Sequence, residues 1–121
     1  MKLIDLEPEF VQHKLIDAWH PGDPPRWMAV HVDTLAEAHG IMFLCPKCYA
    51  DEPVGPVGTH RVLCWFVGKV ADDVTPGPGR WTPKGTGVND LSFVPSPGRT
   101  HSILLTGGCN WHGFIINGDA T

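Results

Sequence analysis

The sequence predicts a mainly β, small α+β fold in which an antiparallel sheet carries one or two short helices. Short apolar runs with strand-like alternation recur along the chain and are separated by turn residues. Glycine and proline are abundant, with 14 and 12 copies among 121 residues, and charged residues make up only 18%. A chain of this length forms a single domain, residues 1–121, whose modest core benefits from a covalent or metal clip.

The N-terminal half of the chain supplies the predicted helices and the first strands. Apolar positions from Phe10 onward fit a short amphipathic helix with Pro8 in its first turn. Thr34 and Glu37 have the spacing of a capping box, and Gly40 follows as a stop signal. In chain order we predict a strand at 2–6, a helix at 8–19, a strand at 27–32, a helix at about 34–39 and a strand at 41–44.

The C-terminal half is interpreted as strands between loops that are rich in glycine and proline. Residues 60–67 alternate between two apolar faces. Such a run predicts a central strand that is covered on both sides. Further strands are predicted at 90–94, 102–106 and 114–116, and loops are predicted at 50–58 and 71–89.

Two cysteine-containing knuckles, about sixty residues apart, are the most specific feature of the chain. Cys45 and Cys48 stand at C-x-x-C spacing, and Cys109 and His112 repeat that spacing with histidine in the last position. Each knuckle offers two metal-binding side chains, and together they complete the Cys3His tetrahedron typical of structural zinc. We therefore predict one Zn²⁺ per chain, bound by Cys45, Cys48, Cys109 and His112. The ion would staple the two halves of the sheet together.

The fourth ligand and the metal itself stay open at this level. Cys64 lies at an alternating apolar position, which favours a buried core cysteine over a ligand in place of His112. Sites rich in thiolates bind iron as well as zinc, so the spacing does not separate the two metals. Reduced core cysteines and a surface histidine, with no metal bound, would give the same sequence pattern. Trp111, inside the second knuckle, is interpreted as a shield for the metal rather than a surface for a partner.

The surroundings of the knuckles disfavour redox and catalytic chemistry. Reactive C-x-x-C pairs place the first thiolate at a helix N-terminus, whereas residues 49–56 contain prolines and a glycine that would interrupt a helix. A catalytic zinc needs an open position and a general base, and the known H-E-x-x-H and H-x-E signatures are absent from the sequence. A zinc-dependent hydrolase with an open metal position stays as an alternative, with His60, His101 and Asp90 as nearby helpers.

Charge and hydropathy patterning argue against nucleic-acid and membrane partners. The formal net charge is -4, and lysine and arginine form no block. Proteins that hold phosphate backbones normally carry a basic face, so a nucleic-acid-binding zinc protein is kept only as an alternative. The N-terminus lacks the apolar segment of a signal peptide, and no apolar run approaches the length of a membrane span. We therefore expect a cytoplasmic protein, in which paired cysteines are more often metal ligands than disulfides.

Several motifs occur in a characteristic order along the chain. They read LIDLEP from residue 3, CPKC from 45, HRVLCWF from 60, LSFVPS from 91 and CNWHGFIING from 109. This set resembles the small domain-of-unknown-function proteins carried by phages and prophages. The resemblance implies a phage or prophage origin and a zinc site at Cys45, Cys48, Cys109 and His112, and it brings no established activity. It also implies residence in the cytoplasm of the infected bacterial host or in the virion.

These features together predict a non-enzymatic, zinc-binding structural or interaction module. It would present a rigid surface to another protein, either a virion component or a host factor. The closed ligand set, the missing catalytic constellation and the acidic balance favour this reading over the hydrolase and nucleic-acid alternatives. The irregular segments at 20–27 and 71–89 are the parts that we expect to face a partner.

Overall fold

A four-stranded antiparallel sheet is the largest element of the computed structural model, which describes residues 1–17, 20–51, 59–77, 79–99, 101–105 and 109–121. Its order is β2–β1–β3–β4, formed by β1 (Glu9–Ile16), β2 (Arg26–Val32), β3 (Gly40–Leu44) and β4 (Arg61–Trp65). A short helix, α1 (Pro46–Asp51), follows β3. The predicted mainly β, antiparallel fold is confirmed. Within these residues no helix has the length and apolar character needed to cross a membrane.

Three two-stranded ribbons build most of the C-terminal half. β5 (Thr82–Lys84) pairs with β6 (Ser92–Val94), β7 (Ile103–Leu104) with β8 (His112–Gly113), and β9 (Ile115–Ile116) with β10 (Asp119–Ala120). The last ribbon is a tight hairpin closed by Asn117 and Gly118, whose φ angles are 49° and 77°. Positive φ at both turn positions is the type I′ geometry that Asn-Gly favours. The strands predicted at 90–94, 102–106 and 114–116 are thus present in shorter form.

Both faces of the sheet carry buried apolar side chains, although most of β2 is exposed. On one face Phe10, Ile41 and Cys64 enter the main core, which also includes side chains of the C-terminal ribbons such as Ile115. The opposite face carries a smaller cluster made of Val11, Trp65 and Val70. A sheet that buries two faces shows less of the simple alternation that identifies a half-exposed strand.

The segment predicted as a helix at 8–19 is the strand β1, so that prediction is wrong. Phe10 and Val11 are adjacent, and both are buried, Phe10 in the main core and Val11 in the second cluster. Adjacent apolar residues fit one stripe of a helix or the two faces of a covered strand. Pairing with β2 and β3 shows that this segment is a strand. Residues 18 and 19 lie outside the described residues.

The segment predicted as a strand at 2–6 is also different, because it forms a 3-10 helix over Leu3–Leu6. Leu3 and Leu6 are both fully buried. Their spacing of three residues matches the three residues per turn of a 3-10 helix. Glu7 then adopts a left-handed φ of 50° and ends the helix. The two leucines join the main core beneath β3.

Other local predictions are confirmed or corrected in part. The strand predicted at 27–32 is β2, and the strand at 41–44 is β3. The capped helix predicted near 34–39 is a single 3-10 turn, Leu35–Glu37, where the Glu37 backbone N–H donates to Thr34 Oγ1 at 3.3 Å. The strand predicted at 60–67 is β4; it is covered on both faces but is the last strand of its sheet rather than a central one. Most of the loop predicted at 50–58 lies outside the described residues.

Candidate metal centre

Four metal-binding side chains from three separate chain segments converge at one end of the sheet. Cys45 and Cys48 come from the first knuckle, His60 immediately precedes β4, and Cys109 comes from the second knuckle. One ligand atom from each side chain can be chosen so that all four lie within 4.8 Å of one another. In the described part of the chain this is the one such group of three or more histidine, cysteine or acidic side chains. The arrangement is that of a metal site.

The first knuckle and His60 are positioned by the pairing of β3 with β4. Leu44 is paired with Arg61, and the ladder extends one step further because the Cys45 backbone N–H donates to the His60 carbonyl at 2.9 Å. This places the Cys45 and His60 backbones side by side. The Tyr49 backbone N–H donates to the Cys45 carbonyl at 2.9 Å, which closes the first turn of α1. Residues three apart on such a turn share a face, so Cys48 joins Cys45 on the same side.

The second knuckle is fastened from two sides. The Lys47 ammonium donates a hydrogen bond to the Cys109 carbonyl at 2.7 Å, which ties α1 to this turn. The following Asn110 takes a left-handed φ of 55°, and Trp111 is buried with only 5% of its surface exposed. The Trp111 ring meets Phe43 of β3 edge to face at 6.1 Å. Trp111 is therefore a buried core residue, which fits shielding of the site better than display to a partner.

Two distances within the cluster are close to those of a tetrahedral zinc site. Zinc–sulfur bonds of about 2.3 Å and zinc–nitrogen bonds of about 2.0 Å imply tetrahedral edges of about 3.8 Å between sulfurs and about 3.6 Å between sulfur and nitrogen. In the structure Cys45 Sγ lies 3.5 Å from Cys109 Sγ, and His60 Nε2 lies 3.4 Å from the same sulfur. A disulfide would need about 2.05 Å between sulfurs. The four cysteines of the chain are free thiols.

The three thiols of the cluster differ in their tendency to ionise. The hydrogen bond from the His60 imidazole is the main reason that the pKa of Cys109 is lowered to about 6, and the Trp111 backbone N–H and the neighbouring thiols add to it. Burial is the main reason that the pKa of Cys45 is raised. Loss of solvation and the neighbouring sulfurs raise the pKa of Cys48 to about 12. At neutral pH the metal-free cluster therefore holds one thiolate and two thiols.

The structure brings together three of the four predicted ligands and places the fourth elsewhere. His112 lies in β8, exposed, with its ring tilted against Phe114 at 6.1 Å, and it does not belong to the cluster. His60 takes the fourth position, although sequence reasoning placed it only among the possible catalytic helpers. The two knuckles differ in backbone conformation. Cys48 lies in the helical turn that follows Cys45, so the two thiols share a side, whereas His112 lies in the strand β8 and is not brought back to Cys109. The signal for His60 was its place opposite Cys45 across β3 and β4, which requires the strand register.

The remaining cysteine and the other suggested helpers lie away from the site. Cys64 is fully buried on β4 within the main core, and burial raises its pKa, as expected for a core thiol. His101 is tilted against Phe114 at 5.2 Å. Asp90 accepts hydrogen bonds from the backbone N–H groups of Thr86 and Gly87, which explains why its pKa is lowered. Asp90 is thus engaged in closing a turn.

The prediction that no helix follows the first knuckle is wrong. The first knuckle does continue into a helix, since α1 begins at Pro46, directly after Cys45. In reactive C-x-x-C pairs the helix N-terminus lowers the pKa of the first thiol. Here burial raises the pKa of Cys45 instead. The pair therefore lacks the activated first thiolate of a redox motif.

Comparisons with family models, with curated proteins and with solved structures find no match to this chain. The geometry of the site is therefore the basis for assigning a function.

Proposed function

We propose that this protein is a zinc-stabilised structural module in which one Zn²⁺ is held by Cys45, Cys48, His60 and Cys109. The observation that carries the proposal is the approach of four ligand atoms to within 4.8 Å of one another, from segments far apart in the chain. Distances of 3.5 and 3.4 Å along two edges of the group support a tetrahedral ion. A mixed set of three sulfurs and one imidazole favours zinc over an iron–sulfur cluster, which is usually held by four cysteines.

A structural role for the ion is favoured over a catalytic one. Four protein ligands complete a tetrahedron, whereas catalytic sites keep one position for water or substrate. Asp90 and His101, the other groups considered as helpers, are engaged elsewhere. Structural zinc contributes roughly 10–16 kcal/mol of apparent binding free energy in small domains, which is comparable to the whole stability of an ordinary domain. The ion would hold α1, the start of β4 and the second knuckle together.

The wider role that we propose is protein binding by a non-enzymatic module of phage or prophage origin. The acidic balance, with a formal net charge of -4, supports a protein partner over a nucleic acid. The phage origin, and a place in the host cytoplasm or the virion, are supported by the resemblance of the sequence motifs. The partner would be a virion component or a host protein.

A native mass spectrum of the untagged protein, recorded before and after chelation, tests the proposal. We expect one zinc per chain, and we expect its removal to broaden the charge-state distribution because the chain unfolds. Tight zinc that leaves without any unfolding would contradict the structural role. A chain that carries no metal after expression with added zinc would contradict the site itself.

A second candidate, a zinc-dependent hydrolase, is favoured by one observation: His60 is the one exposed residue of the four. Its bond to the ion would be the easiest for water to replace. His60→Cys would restore a closed set of four ligands. Zinc retention with unchanged stability in that variant supports the structural role, whereas loss of a hydrolytic activity seen in the wild type would favour the hydrolase.

A further inference from the structure

A groove of about 790 Å³ lies on the second face of the sheet, and none of the four clustered side chains of the metal centre lines it. Its floor and one wall are formed by side chains of β1, β2 and β4, and its other wall is the segment from Lys69 to Thr75. The volume is within the range of roughly 300–1,000 Å³ that is usual for small-molecule sites. The strand residues that line it are His13, Trp27, Met28, Ala29, Leu63 and Trp65.

The loop wall of the groove is held in place by a buried arginine. Arg80 is only 1% exposed, and its guanidinium donates hydrogen bonds to five backbone carbonyls. Those carbonyls belong to Val70, Ala71, Val74, Pro76 and Gly79. The indole N–H of Trp65 also donates to the Thr75 carbonyl at 3.1 Å, which joins the wall to the floor. A wall fixed in this way is pre-organised, so little ordering cost falls on a ligand.

The opposite wall presents an exposed aromatic platform. Trp27 is 62% exposed, the highest fraction among the large apolar side chains described as exposed. One face of its indole stacks on the His13 imidazole at 4.5 Å, and the edge of Trp65 supports His13 in turn at 5.4 Å. This stack supports one face of the Trp27 indole. Within the described residues, its other face has no ring stacked on it.

The rim of the groove carries polar groups of balanced charge. Lys69 and Asp73 are both exposed, and Thr75 adds a hydroxyl. In the described part of the chain, the side chains of these three residues make no hydrogen bond or ion pair with one another or with the strands. The rim therefore offers a donor, an acceptor and a hydroxyl without a net charge.

We propose that this groove binds a neutral saccharide, with one pyranose ring laid on Trp27. A pyranose has an apolar face of C–H groups, which an indole covers well, and a border of hydroxyls that both donate and accept. Lys69 would donate to ring hydroxyls, and Asp73 would accept from them. The apolar floor, which includes Ala29 and Leu63, would exclude water beneath the ring.

Other ligand classes fit the groove less well. A nucleotide would bring its phosphate to a rim where the single lysine is offset by Asp73, with no cluster of cations. A wholly apolar ligand would remove water from Lys69 and Asp73 without replacing their hydrogen bonds, which is costly. Balanced charge beside an exposed indole thus selects a polyhydroxylated neutral ring.

Ligand-observed saturation-transfer NMR on the zinc-loaded full chain tests the proposal. The probes are glucose, galactose, N-acetylglucosamine, maltose, cellobiose and chitobiose at millimolar concentration, with adenosine monophosphate and indole as comparators. We expect transfer to at least one sugar, strongest at the protons of one ring face. Trp27→Ala should weaken that binding about tenfold, and Asp73→Ala about fivefold, corresponding to the loss of one stacking contact and one hydrogen bond.

Ile116→Ala is the matched control, because Ile116 is 55% exposed on β9 and lies outside the groove. It should leave sugar binding unchanged. Absence of transfer to all six sugars overturns the proposal. Transfer that survives in Trp27→Ala overturns the assigned site, and tighter Trp27-dependent binding of adenosine monophosphate or indole overturns the assigned ligand class.

Discussion

Two irregular regions of this protein are organised around polar centres of opposite kinds. At the knuckle end, Cys45, Cys48, His60 and Cys109 bring three segments together but leave two protonated thiols facing one thiolate. At the groove, the guanidinium of Arg80 donates to five backbone carbonyls between Val70 and Gly79. Under our proposal the first centre is completed by an ion, whereas the second is formed by groups of the chain itself. Long-range closure would then depend on the metal, and local closure on one side chain.

The sharpest contrast is between the two cysteines that are fully buried. Cys45→Ala removes a proposed ligand, so we expect loss of zinc and of most of the stability of the fold, measured by metal content and chemical denaturation. Cys64→Ala removes one sulfur from the core and should cost about 1 kcal/mol while zinc is retained. Equal effects of the two substitutions would break the distinction between ligand and core cysteine.

The second contrast concerns the arginine centre. Arg80→Met leaves several carbonyls without their donor, so we expect a loss of about 3 kcal/mol in the free energy of unfolding with zinc content unchanged. Arg99→Met is the control, because it removes an ion pair with exposed Asp72 at 2.9 Å and should cost less than about 1 kcal/mol. Loss of zinc from the Arg80 variant would show that the two centres are coupled.

The third test compares two histidines. His60→Ala should lower zinc affinity by roughly a hundredfold or more, since changes in outer-shell partners alone cost ten- to a hundredfold. His112→Ala should leave the affinity unchanged, because this ring contacts Phe114 rather than the cluster. Competition with a chromophoric chelator measures both. The reverse order would restore the ligand set that C-x-x-H spacing suggested.

Zinc affinity should rise steeply with pH. The pKa of Cys48 is raised to about 12 and that of Cys45 is raised as well, so both thiols must lose a proton when zinc binds at neutral pH. Cys109 is already ionised there, since its pKa is lowered to about 6. Two released protons predict an increase of about a hundredfold in affinity per pH unit between about pH 7 and 8. A slope near zero would mean that the thiols are not ligands.

The smallest expected effect on zinc affinity comes from the hydrogen bond between α1 and the second knuckle. Lys47→Met removes the 2.7 Å hydrogen bond to the Cys109 carbonyl and should weaken zinc binding about fivefold, or about 1 kcal/mol. Lys84→Met, at an exposed position of β5, controls for the loss of one positive charge. If both variants weaken zinc binding equally, the effect is one of net charge rather than of this contact.

The sequence predicts contacts within one local turn better than contacts between distant segments. C-x-x-C spacing identified Cys45 and Cys48 because both ligands belong to one local turn. His60 could not be identified in this way, since it meets Cys45 only through the register of β3 with β4. Arg80 gave no signal at all: it is a lone arginine in a segment rich in glycine and proline, and its five partners are backbone carbonyls.

The errors in the fold have a related cause. Phe10 and Val11 suggested a helix because adjacent apolar residues fit either a helical stripe or a strand covered on two faces. The pairing of this segment with β2 and β3, and the packing of Val11 against Trp65 and Val70, distinguish the two. Leu3 and Leu6 have a local three-residue spacing that fits the observed 3-10 helix, although the segment was predicted as a strand. That spacing is present in the sequence, whereas the long-range pairing of β1 is not.

X-ray absorption at the zinc edge of the purified protein would identify the atoms bound to the ion. We predict three sulfur neighbours at about 2.3 Å and one nitrogen neighbour at about 2.0 Å, with no room for a fifth ligand. The nitrogen signal should disappear or change to oxygen in His60→Ala and persist in His112→Ala. A shell of two sulfurs with several oxygens, or an unchanged spectrum in His60→Ala, would contradict the account.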